Sequence, residues 1–91
     1  MVRRSRLEIY FEILKVVEEG VVKPTPIMYH TGLSWVPFQD IFNTLLESGF
    51  LQEEQKGNTK TYKVTDKGRK ALSYHLKASD ELSKPDELPT T

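Results

Sequence analysis

Ninety-one residues, 37% of them hydrophobic, suit one compact domain with a single modest core and argue against a second domain. No cysteine is present, which excludes a disulfide framework and a thiolate zinc site, so packing must hold the fold. The formal charge of zero divides unevenly: residues 1–77 hold twelve Lys/Arg against nine Asp/Glu, whereas residues 78–91 hold Lys84 against Asp80, Glu81, Asp86 and Glu87. A mildly basic body can carry local basic patches but not the overall charge of a strongly non-specific DNA coater.

The basic opening, with Arg3, Arg4 and Arg6, runs into Glu8 and Glu12 rather than an unbroken apolar segment, so it does not read as a signal peptide. No stretch approaches the ~20 apolar residues of a membrane span. A soluble cytoplasmic protein without a membrane partner is expected. Residues 1–4 read as a basic arm, 5–84 as the domain and 85–91 as a disordered acidic tail bounded by Pro85 and Pro89.

Leu7, Ile9, Tyr10, Ile13, Leu14, Val16 and Val17 recur at helical spacing, and Gly20 supplies a stop, which predicts a first helix over 5–19. Phe11 falls outside that arc, among Glu8, Glu12, Lys15 and Glu18. Residues 21–23 are long enough for a stub of strand. Thr25 followed by Pro26 predicts a second helix over 26–31, and Gly32 permits a reversal that drops Leu33 into the core. Ser34 caps a third helix that runs to Ser48 and stops at Gly49, with Phe38, Ile41, Phe42, Leu45 and Leu46 on its core face. Residues 50–56 and 59–64 read as the strands of a hairpin turning at Gly57 and Asn58. Thr65 and Asp66 open a last helix that directs Ala71, Leu72, Leu76 and Leu82 inward and ends near Lys84.

Helix, short strand, helix, turn, helix, hairpin, helix is the order of a winged helix-turn-helix: an α+β, mainly helical fold with a two-to-three-stranded wing and a C-terminal helix. In that arrangement the third helix enters a DNA major groove and the hairpin tip reaches the neighbouring phosphates. Its free face holds Val36, Gln39, Asp40, Asn43, Thr44 and Glu47, with Trp35 at the edge. Gln39 and Asn43 can bond adenine, Asp40 can accept from cytosine N4, and Val36 can meet a thymine methyl. None of these is basic, and Asp40 and Glu47 repel phosphates, so binding energy must come from elsewhere. Lys56, Asn58, Thr59, Lys60 and Lys63 on the hairpin are the expected phosphate contacts, followed by Lys67, Arg69 and Lys70. Arg3, Arg4 and Arg6 form a second, mobile cluster suited to a minor groove or the backbone.

The segment from Lys23 to Tyr29, the step Leu33-Ser34-Trp35, residues 45–49 and the run from Tyr62 to Gly68 resemble the archaeal ten-kilodalton winged-helix DNA-binding family over residues 5–77. That resemblance implies a chromatin or transcription-regulatory role and a homodimer joined by the last helix. Pro26 stands where the family commonly has a basic residue, and Pro85 shortens the last helix for a coiled coil. Tyr10, Phe11, Leu72 and Leu76 are the candidates for the dimer interface.

Simpler packing roles compete with several of these assignments. Trp35 at a first helical turn more often closes a core edge than reads DNA. Tyr62 is expected to pack under the hairpin, and Met28 and Tyr29 to lie in the core. His30 and His75 are the only histidines, so no metal is expected, and neither a nucleophile–base pair nor a phosphate-cradling loop is present. No catalysis, cofactor or small-molecule substrate is predicted. A rival reading makes the domain a protein-interaction module that docks a partner on the acidic face of the third helix and an exposed Phe11.

Overall fold

The structure, a computed structural model, describes the backbone of residues 5–83 and the side chains of residues 5–78. The basic arm at 1–4, Lys84, the tail at 85–91 and the inward side chain expected of Leu82 lie outside the described residues. Four helices and a hairpin follow in order: α1 (Arg6–Glu18), α2 (Pro24–Thr31), α3 (Trp35–Glu47), β1 (Leu51–Lys56), β2 (Thr59–Val64) and α4 (Asp66–Ser83). This is the expected α+β, mainly helical arrangement, with a two-stranded wing.

Helix α1 begins where Ser5 Oγ accepts the Glu8 amide at 3.1 Å, satisfying one of the free donors of a helix start. Its Ile9, Ile13, Leu14 and Val17 join Ile27, Phe38, Ile41, Phe42, Leu45, Leu51, Tyr62, Val64 and Leu72 in one core. Aromatic rings bind α3 to the wing: Phe38 stacks on Phe42 at 5.1 Å, and Phe42 meets Tyr62 edge-on at 4.7 Å. Tyr62 is buried beneath the hairpin as its alternation with Val64 predicts.

Three local expectations are corrected. Residues 21–23 form no strand; the backbone makes a single link to the wing, Tyr62 N–H to Val22 O at 3.0 Å. Pro24, which lacks an N–H and opens α2, ends any ladder there. Helix α2 also starts two residues early, at Pro24, with Lys23 as N-cap and no side-chain cap bond. Pro24 and Pro26 remove two of the four free amides of the helix start, and Pro26 holds the third position, whose amide a side-chain cap would bind, so the helix opens at Pro24 without one. The same reasoning covers Ser34, which precedes α3 without capping it through its hydroxyl. Pro37 occupies the third helical position, whose amide such a cap would bind.

The α2–α3 turn is fixed from inside. Thr31 is buried; its hydroxyl donates to Met28 O at 2.6 Å and accepts from the Leu33 amide at 3.2 Å, while Gly32 takes φ +72. Helix α4 is clamped to the end of α3. Thr65 Oγ1 accepts from Gly68 N at 3.1 Å and donates to Gly49 O at 2.6 Å, and Lys67 Nζ donates to Ser48 O at 2.8 Å. The hairpin turns over two residues, with Gly57 at φ +61 and no positive φ at Asn58, the pattern of a II′ turn.

Candidate nucleic-acid interface

Angle separates the two sides of α3. Phe38, Ile41, Phe42 and Leu45 are buried, whereas Val36, Gln39, Asp40, Asn43 and Glu47 are exposed and Thr44 is half-buried. The flank expected to read bases is therefore open to solvent. Trp35 lies at its edge, 48% exposed, with its ring 6.0 Å from that of Phe38. The indole thus covers a corner of the core and also presents a face outward.

Tyr29, expected in the core, is instead 75% exposed. On α2 only Ile27 and Thr31, four apart, are buried, with Met28 half-buried. Two residues beyond Ile27 is a turn of ~200°, which carries Tyr29 to the opposite side. The spacing contained that signal, and it adds an aromatic hydroxyl on the helix preceding the reading helix.

The cations divide by what they already hold. Lys56 and Lys60 are exposed at the hairpin tip with Asn58 and Thr59 between them, and neither lysine is in an ion pair among the described residues. Lys63 lies 3.8 Å from Glu54 across the strands. Arg69 pairs with Glu18 at 3.2 Å and with Asp66 at 3.5 Å, tying α4 to the end of α1. An open groove of about 420 Å³ at the base of the wing is lined by Lys63, Lys67 and Arg69, but all three are engaged within the chain.

Arg6 departs from the sequence reading. It is the first residue of α1 rather than part of a mobile cluster, and its Nη2 donates to Asp40 Oδ2 at 3.0 Å. The Tyr10 hydroxyl, accepting from Nε at 2.6 Å, and then the Asp40 carboxylate hold the guanidinium protonated more firmly than usual. This link between α1 and the reading face spans 34 positions, and no local pattern predicts it. Arg3 and Arg4 lie outside the described residues.

Of the four residues proposed for a dimer interface, Phe11, Leu72 and Leu76 line one groove between α1 and α4, but they differ in exposure. Leu72 is buried in the chain's own core. Phe11, expected on the exterior, is half-buried and stacks on His75 with centroids 4.0 Å apart and rings 4° from parallel, so its ring is only partly open to solvent. Tyr10 is half-buried beside Arg6. Leu76, expected inward, is 46% exposed, and Leu7 and Tyr74 are exposed as well. Helices α1 and α4 leave a shallow groove of about 260 Å³ between Glu8, Phe11, Glu12, Lys15, Leu72, His75 and Leu76.

Among the described residues, no group of three or more His, Asp or Glu side chains is placed to hold a metal ion, and no helix is long and apolar enough to cross a membrane.

The sequence profile of winged helix-turn-helix proteins matches residues 3–83. Two uncharacterized proteins of Methanocaldococcus jannaschii are each 35% identical to the chain over 71 residues, 78% of its length; the match spans 69% of one and 32% of the other. Among solved structures, Sso10a-2, a DNA-binding protein from Sulfolobus solfataricus, superposes with a TM-score of 0.66 at 28% identity, covering 87% of this chain and 85% of that one. A protein from Archaeoglobus fulgidus superposes with a TM-score of 0.70 at 22% identity, over 92% and 93% of the two chains. The latter establishes likeness of fold alone.

Proposed function

The chain belongs to the winged helix-turn-helix family, and from that premise we propose that it is a non-catalytic protein that binds double-stranded DNA in a transcription-regulatory or chromatin-associated role in the cytoplasm. The observation that carries the reading is the open flank of α3: Val36, Gln39, Asp40 and Asn43 stand exposed on a helix whose other side is buried. An exposed flank of amide, carboxylate and small apolar side chains is chemically suited to base edges in a groove about 12 Å wide. Lys56 and Lys60, uncommitted at the hairpin tip, are the cations available for phosphates; Arg3 and Arg4 are assigned the same role from sequence. The resemblance to Sso10a-2, itself a DNA-binding protein, supports the assignment.

Binding of a fluorescent duplex, followed by anisotropy at several salt concentrations, tests it. The wild type should bind at low salt with affinity that falls as salt rises. Lys56→Gln with Lys60→Gln should weaken binding and reduce the log–log salt slope by about 0.9 per lost phosphate contact. No binding at low salt, or an unchanged slope in the double variant, contradicts the proposal.

Self-association belongs to the same reading, because two half-sites are commonly read by a two-fold protein. Since Leu72 is spent in the core, the contact falls to Leu76 on α4, exposed beside Phe11 in the groove between α1 and α4. Sedimentation should show a dimer that Leu76→Glu converts to monomer; a wild-type monomer at high concentration contradicts it.

A further inference from the structure

We propose that Arg6 is a positioning residue for base recognition by Asp40, so that the ion pair acts as one unit and the carboxylate accepts a hydrogen bond from a cytosine amino group. The inference rests on the duplex-DNA reading above. Asp40 stands on the open flank of α3 with its side chain 66% exposed, and its Oδ2 is held by Arg6 Nη2 at 3.0 Å. Arg6 is fixed in turn from two helices. Its Nε donates to the Tyr10 hydroxyl at 2.6 Å, and its Cζ lies 5.4 Å from the centre of the Tyr10 ring. Nη2 also approaches Thr44 Oγ1 at 3.5 Å, and that hydroxyl donates to the Asp40 carbonyl at 3.0 Å.

An exposed ion pair contributes little to holding a fold. What this network fixes is direction and charge. A lone carboxylate on a reading helix is repelled by the phosphates it must pass, whereas one neutralised by a guanidinium approaches without that opposition. Oδ2 is occupied, while Oδ1 takes no hydrogen bond among the described residues and is left to accept one. In the major groove the donors are the amino groups of cytosine and adenine. Adenine places its N7 acceptor beside the amino group, where it opposes a carboxylate; cytosine has no acceptor there, so a C·G pair is the favoured partner.

Selection from a randomised duplex pool by the full chain tests the proposal, with Asp40→Asn, Arg6→Gln and the double variant in parallel and thermal melts to establish that each is folded. The wild type should enrich cytosine at one position by about fivefold or more. Both single variants should lose that preference at the same position, and the double variant should be no worse than either. A purely structural role for Arg6 leaves base preference unmoved. A wild type that enriches no duplex contradicts the DNA-binding reading itself. A wild type that enriches duplex without the cytosine preference, an Asp40→Asn variant that retains it, an Arg6→Gln variant that keeps what Asp40→Asn loses, or a double variant with losses beyond either single overturns this inference and leaves the reading standing.

Discussion

Replacing Gly68 with alanine isolates how α4 is seated against the base of the wing. In a helix this substitution ordinarily stabilises by about 1 kcal/mol, because alanine loses less backbone entropy. Here the added methyl would fall well inside contact distance of the Phe50 carbonyl oxygen and 2.7 Å from Val64 Cγ1. Neither neighbour can give way cheaply. Phe50 O accepts the Thr65 amide at 3.1 Å, and Val64 is buried in the core. Overpacking costs typically about 1–3 kcal/mol, and a clash with a backbone oxygen puts this site in the upper part of that range, so Gly68→Ala should destabilise by about 1–2 kcal/mol once the propensity gain of about 1 kcal/mol is taken off. For a domain of this size that lowers the melting temperature by roughly 5–15 °C. Differential scanning calorimetry reads it, with Ser73→Ala on the exposed side of the same helix as a control that should not fall. A Gly68→Ala protein melting at or above the wild-type temperature would refute the close approach of α4 to residue 50.

The Thr65 hydroxyl both caps α4 and holds Gly49 O, so Thr65→Ala should cost about 1–2 kcal/mol in urea unfolding while Thr65→Ser retains most of the stability; equal stability of Ala and Ser variants would contradict the double role. Burial first, and then the bond its hydroxyl donates to Glu53, raise the Tyr62 phenol above its ordinary value of 10.0. A folded value raised above the unfolded one means the contribution is full below about pH 10 and is lost as pH rises through the folded value. Urea midpoints of wild type and Tyr62→Phe should therefore converge as pH is taken from about 9 to 11, and a gap that widens would show the sign to be wrong.

Where structure is dictated by neighbours in sequence, the chain is readable. The bounds of α1, the αL turn at Gly32, the hairpin turn at Gly57 and the cap at Thr65 follow from residues within a few positions of one another. The open flank of α3 follows from helical angle alone. The start of α2 departs from the capping pattern at Thr25 because prolines at its first and third positions leave few free amides to cap. Tyr29 has the aromatic side chain of a core residue, yet its angle from Ile27 places it in solvent. Three features were not legible because they join distant segments. Arg6 meets Asp40, Phe11 meets His75, and Gly68 lies against residue 50. In each, the sequence specifies chemistry that has no local partner, and only the packing of α1 and α4 on the rest supplies one.

The most direct examination of the interface is an NMR titration of isotopically labelled protein with a short duplex, read residue by residue. Binding as described predicts that the largest amide and side-chain shifts cluster on Val36, Gln39, Asp40 and Asn43 and on the hairpin tip from Lys56 to Lys60, with the interior residues Ile13 and Ile27 little changed. Shifts confined to the surface of α1 and α4, or a spectrum that the duplex leaves untouched at low salt, would contradict the account.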